Sequence, residues 1–79
     1  MEYSLLFKID LDRPIATCIV SERDGTQAAV IDILENADVY IKLWHPRRGL
    51  MLTALQLSEI HGKAVWFKLR RAQLKAQGE

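Results

Sequence analysis

The stretch Val39-Tyr40-Ile41-Lys42-Leu43-Trp44-His45-Pro46-Arg47-Arg48-Gly49-Leu50-Met51-Leu52-Thr53-Ala54-Leu55-Gln56-Leu57-Ser58-Glu59-Ile60 changes its period halfway along. Val39, Ile41 and Leu43 alternate with Tyr40, Lys42 and Trp44. That two-residue period predicts a strand. Pro46 to Gly49 predicts a turn, because Pro and Gly punctuate regular structure, and a short strand is expected after it. Thr53-Ala54-Leu55-Gln56 then has the spacing of a capping box, in which the Thr hydroxyl and Gln amide serve orphan backbone N–H groups. Leu52 and Leu57 stand at hydrophobic-staple positions around that cap. Leu57, Ile60 and Ala64 fall on one helical face. Gly62 either weakens this helix by about 1 kcal/mol or ends it. A strand, a basic turn and a capped helix in succession imply a mixed α and β fold.

Upstream, three more strands are expected. Tyr3, Leu5, Phe7, Ile9 and Leu11 alternate with Ser4, Leu6, Lys8, Asp10 and Asp12, until Pro14 interrupts, since proline cannot donate to a ladder. Ile15 to Glu22 is rich in β-branched residues and reads as a second strand. Asp24-Gly25 is a turn signal, and Gln27 to Leu34 reads as the third, before a turn over Glu35-Asn36-Ala37-Asp38. Residues 28–36 would also tolerate a helix.

Downstream, residues 63–77 admit two readings. As a helix, Val65, Leu69, Ala72 and Ala76 form an apolar stripe, with Lys68, Arg71 and Lys75 as a basic stripe beside it. Phe67 and Leu74 then lie on a further face, where a partner chain could cover them. As a strand, Val65, Phe67 and Leu69 alternate with Trp66, Lys68 and Arg70. The helix formers of Ala72 to Gln77 favour helix, at least after Leu69. The expected architecture is α+β: an antiparallel sheet of four or five strands, mainly within 1–52, followed by one long or two short C-terminal helices within 53–77.

A chain of 79 residues holds one small domain. Its 49% apolar and 27% charged residues exclude a disordered tail. Domains of this size bury only about 60% of the surface their unfolded chains expose. The single cysteine, Cys18, excludes an internal disulfide framework, and no Cys/His cluster has zinc-site spacing. Neither staple is available to supplement the core, so association into a homodimer is expected. No apolar run reaches the roughly 18–20 residues of a membrane span. Met1-Glu2-Tyr3-Ser4 lacks the basic start of a secretory signal, so a cytoplasmic setting is expected.

Charge is segregated along the chain. Residues 1–40 hold eight acids and three bases, a net charge of −5, whereas residues 41–79 hold eight bases and two acids, a net charge of +6. A segregated basic half suits a polyanionic partner. The competing explanation is mutual neutralisation of the two halves within one fold.

Catalytic signals are nearly absent, and no enzymatic activity or cofactor is expected. Nucleophilic catalysis needs a Ser or Cys beside an oriented base. Cys18 sits among apolar neighbours and reads as a small core residue. His45 lies in a turn, and His61 near a helix end where it would complement the dipole. Asp10 and Asp12 share a strand face, but paired acids are usually just solvated, so no metal site is expected. The chemistry points instead to nucleic acid, with single strands favoured. Lys42, Arg47, Arg48, Lys68, Arg70, Arg71 and Lys75 can pair with phosphates, while Trp44, with Tyr40, offers faces on which bases stack. The alternative is a small protein-binding inhibitor or adaptor anchored by Trp66, Phe67 and Leu74, because aromatic residues dominate interface energetics.

Ile41, Lys42, Trp44, Pro46, Gly49, Leu50, Leu52, Thr53, Gln56, Leu57 and Ile60 carry a resemblance to a known family. Over about 22 residues the chain resembles the positive-cofactor-four family of single-stranded-DNA-binding transcriptional coactivators. There a strand ending Ile-Arg-x-Trp leads through a basic turn to Gly-aliphatic-x-Leu-Thr and a helix. Lys42 stands where that family usually has Arg. The resemblance implies a curved antiparallel sheet, a C-terminal helix forming the dimer contact, and a strand surface gripping unpaired strands. Leu55 to Glu59 followed by Val65 to Ala72 is also similar to the turn and recognition helix of a homeodomain. Leu69 stands there in place of the base-reading Asn, and one extra residue intervenes, so that likeness is read as coincidental.

Overall fold

A computed structural model describes residues 3–44 and 50–78. Four strands, β1 (Ser4–Lys8), β2 (Ile15–Ser21), β3 (Gln27–Leu34) and β4 (Val39–Trp44), precede one helix, α1 (Ala54–Gln77). The strands form an antiparallel meander in the order β1-β2-β3-β4. This is the expected α+β arrangement, with four strands and one long helix. Residues 28–36 contribute strand and not helix, residues 63–70 are helical, and no strand forms over Leu50–Leu52.

Turn chemistry sets the register. After β2, Gly25 N–H donates to the Glu22 carbonyl at 2.9 Å, and Gly25 takes φ +90°. After β3, Ala37 N–H donates to the Leu34 carbonyl at 3.0 Å, and Ala37 takes φ +75°. Both hairpins thus turn on a residue in the left-handed region, which glycine enters freely and alanine does not. Asn36 supports the second turn by accepting from Asp38 N–H at 3.0 Å and donating to its carboxylate at 2.9 Å.

The pleat sorts side chains onto two faces. Ala16, Cys18 and Val20 of β2 and Ala29, Ile31 and Ile33 of β3 point into the core, where Ile60, Ala64 and Phe67 of α1 meet them. Tyr3, Leu5, Phe7, Ile9 and Leu11 border that core, as their alternation predicts. Cys18 is fully buried, and burial, aided by the charge of Glu59, pushes its thiol up to about 11. Such a thiol stays protonated and unreactive at neutral pH.

Thr53 caps α1 as expected: its hydroxyl accepts from Gln56 N–H at 3.1 Å, and the Gln56 amide oxygen accepts from Thr53 N–H at 3.1 Å. Two longer reaches position the helix. Gln56 Nε2 donates to the Tyr3 carbonyl at 2.7 Å, and Arg71 Nη1 donates to the Leu11 carbonyl at 2.9 Å. Fifteen helical residues span about 22 Å, and the eight steps from Tyr3 to Leu11 span about 26 Å when extended. Matching lengths allow both ends of the helix to be tied beside the same edge strand.

The inner face of α1 differs from the one expected. Ile60, Ala64 and Phe67 are buried and Arg71 is half-buried, continuing the Ile60/Ala64 face. Phe67, expected at a partner interface, is a wholly buried core residue instead. Val65, Leu69, Ala72 and Ala76, expected as the apolar stripe, face solvent. The reason is steric: Ala64 lets the helix approach the sheet, and Phe67 fills the space one turn on. Gly62 does not end the helix, so His61 sits well inside α1 and not near its end. No helix among the described residues is long and apolar enough to cross a membrane.

Candidate nucleic-acid interface

The helix packs on the core built by β2 and β3 and bordered by β1, and this leaves β4 uncovered. Val39 and Ile41 oppose the core residues Ile33 and Ile31, yet Ile41 is 43% exposed and Val39 nearly as much. A register shift between Val30 and Ile31 places Lys42 at an irregularity, and Lys42 is exposed. The outer edge of β4 carries no further strand among the described residues.

On the sheet face away from α1, the register aligns Leu6, Ile19, Val30 and Leu43 in one row across all four strands. Leu6 and Leu43 are 56% and 59% exposed, and the two central members are half-buried. The neighbouring row is Lys8, Thr17, Asp32 and Tyr40. Asp32 is buried, and its carboxylate accepts the Tyr40 hydroxyl. That hydrogen bond, and secondarily the carboxylate charge, hold the Tyr40 phenol above its ordinary pKa. The ring is 48% exposed and anchored by its tip. The sequence marks Glu35 to Asp38 as a four-residue turn and so hides this pair; the turn has three residues, closed by Leu34 N–H donating to the Asp38 carbonyl, and that sets Asp32 opposite Tyr40.

The other bases fall elsewhere. Trp44 ends β4 opposite Ala29; its side chain, and Arg47 and Arg48 entirely, lie outside the described residues, as does His45. Lys68, Arg71 and Lys75 share one flank of α1, as their spacing predicts, but next to Glu35 and Asn36 of the β3–β4 turn. Arg71 Nη2 donates to Glu35 at 2.9 Å, and Lys75 Nζ lies 3.7 Å from the same carboxylate. These partners, Arg71 first, hold the Glu35 carboxyl below the usual carboxylate range. Arg71, expected to face phosphates, is therefore largely engaged within the chain, an instance of the two charge halves neutralising each other. Arg70 donates to Gln73 at 2.8 Å on the exposed side of the helix.

Trp66 and Leu74, the other expected anchors, are 43% and 36% exposed. Lys63 Nζ stands 5.8 Å from the centroid of the Trp66 ring and 5.7 Å from that of Phe7, within cation–π range of both. Asp10 accepts from Asp12 N–H at 3.0 Å and pairs with Arg13 at 3.6 Å, so its oxygens have internal partners. No group of three or more His, Cys, Asp or Glu side chains able to hold a metal ion occurs among the described residues. Comparison with family models, with curated proteins and with solved structures finds no match for this chain.

Proposed function

We propose that this chain is a non-enzymatic nucleic-acid-binding regulatory protein, acting in transcription regulation, that grips unpaired strands on the open sheet face and β4 and works as a homodimer. One observation carries the reading: the only aromatic ring described on β4, Tyr40, is exposed and held at its hydroxyl by Asp32, two residues from the exposed Lys42. A ring fixed in advance loses little freedom on stacking with a base. Lys42 supplies a phosphate contact, and the sequence continues directly into Arg47 and Arg48. The apolar row ending at Leu43 offers further surface for bases. Dimer formation would cover exposed apolar residues on β4 and on the outer face of α1, among them Ile41, Val65 and Leu69.

Labelled single- and double-stranded oligonucleotides, titrated at about 50 mM and about 200 mM salt, test this reading. Single strands bind more tightly, and affinity falls with salt. Tyr40→Ala weakens binding by about 1–3 kcal/mol, the worth of one stacked base. Lys42→Gln lowers the salt slope by about one. Absence of binding at the lower salt, or indifference to salt, refutes the reading.

A second reading, a protein-binding inhibitor or adaptor, is favoured by one observation, the exposed Trp66 and Leu74 on α1. Phe67 drops out of that anchor set because the core holds it. A stoichiometric protein partner that survives nuclease treatment and is lost in Trp66→Ala would select this alternative.

A further inference from the structure

At the end of the sheet where β3 turns into β4, a cleft of about 330 Å³ opens against the C-terminal half of α1. Glu35, Asn36, Lys68, Arg71, Ala72 and Lys75 line it. Three cations face one carboxylate, which leaves the wall with two positive charges in excess. We propose that this cleft is a binding site for a phosphate group, held chiefly by Lys68 and Lys75. The proposal stands apart from the reading of β4 as a strand-binding surface.

Each wall residue has a definable part. Arg71 is fixed from two sides, by the Leu11 carbonyl and by Glu35, so its charge is in place before any ligand arrives. Each Nη spends one of its two N–H groups on these partners, which leaves the guanidinium with hydrogen-bonding capacity beyond them, while its Nε is buried without an acceptor among the described residues. Lys75 touches Glu35 only at 3.7 Å and is mostly exposed, a contact easily exchanged for a stronger anion. Lys68 has no ion-pair partner among the described residues. Complementing the helix dipole would account for Lys75, in the last turn. It does not account for Lys68, because that effect fades within one turn. A dianion matches the excess charge of the wall, and the volume lies at the lower end of the range for small-ligand sites, about 300–1,000 Å³. Glu35 is the opposing element: it neutralises Arg71 and repels any anion that cannot displace Lys75 from it.

The test uses the full 79-residue chain, labelled with nitrogen-15, and inorganic phosphate titrated against chloride at constant ionic strength. Saturable amide shifts at Asn36, Lys68 and Ala72, with a dissociation constant in the millimolar range, are expected with phosphate only. Lys68→Gln, a surface change, weakens binding about fivefold, the effect of losing roughly 1 kcal/mol of attraction. Arg23→Gln, at the opposite end of the sheet, leaves it unchanged, and Glu35→Gln tightens it. Shifts that chloride reproduces, or equal behaviour of the Lys68 and Arg23 variants, overturn the proposal. Oligonucleotides with and without a 5′-phosphate then separate the two sources of the group. Preference for the phosphorylated strand places a nucleic-acid terminus in the cleft, and equal binding leaves free phosphate compounds as its ligand. A chain that binds oligonucleotides but not phosphate fails this proposal alone; one that binds phosphate but no oligonucleotide fails only the function proposed for β4.

Discussion

Strands β2 and β4 have similar apolar content and opposite fates. Ala16, Cys18 and Val20 of β2 are buried beneath α1, while Val39 and Ile41, on the same face of β4, are both at least 40% exposed. Central position explains part of the difference, since β2 has neighbours on both sides and β4 is an edge. The placement of the helix explains the rest. Gln56 and Arg71 tie it to Tyr3, Leu11 and Glu35, and a single helix about 10 Å across cannot cover four strands spaced about 4.8 Å apart. Strand propensity alone therefore does not tell whether an apolar strand is sealed by its own chain or left open for something else.

The contrast can be broken most violently on the covered side. Phe67→Ala removes the largest fully buried side chain among the described residues and is expected to cost about 3–5 kcal/mol, much of the stability of so small a domain. Chemical denaturation reads this as a large fall in midpoint. Arg71→Met keeps the aliphatic stem but removes the bonds to Leu11 and Glu35; a loss of about 1–3 kcal/mol is expected, and β4 should be unaffected by amide exchange. The wild-type contribution of the Glu35 pairing is present above the carboxylate's unfolded pKa of about 4.3 and fades as pH falls through its lowered folded value. Arg71→Met should therefore flatten the acid limb of the stability curve. Ala37→Gly acts on the hairpin that carries β4. It relieves alanine of a left-handed conformation and should stabilise by up to about 1 kcal/mol, read as a higher melting temperature. Ile41→Ser is the mildest, within about 0.5 kcal/mol if β4 is open in solution. A cost of several times that, growing with protein concentration, would show that β4 is covered by a second copy.

Much of this fold is legible in the residues themselves. The bounds of β3 and β4, the cap at Thr53 and the inner residues Ile60 and Ala64 follow from alternation, turn signals and capping chemistry, all of them local. The orientation of α1 does not. Val65, Leu69, Ala72 and Ala76 make a better apolar stripe on paper than Ile60, Ala64, Phe67 and Arg71. An arginine at the fourth position hides the true face until the Leu11 carbonyl and Glu35 are seen to receive its guanidinium. The candidate site divides the same way. Exposure of Lys42 and Tyr40 follows from an edge strand, but the Asp32 anchor depends on cross-strand register and the Glu35 cluster on tertiary placement.

The meander closes by short hairpins, yet its inner face is sealed by Ile60, Ala64 and Phe67, all in the final quarter of the chain. During synthesis the strands are made first, so the sheet can pair while that face is still bare. A chain that stops before Phe67 keeps its four strands but leaves their oily side bare to water and open to aggregation. Losing Phe67 and the helix beyond it would thus be nearly as damaging as losing a strand.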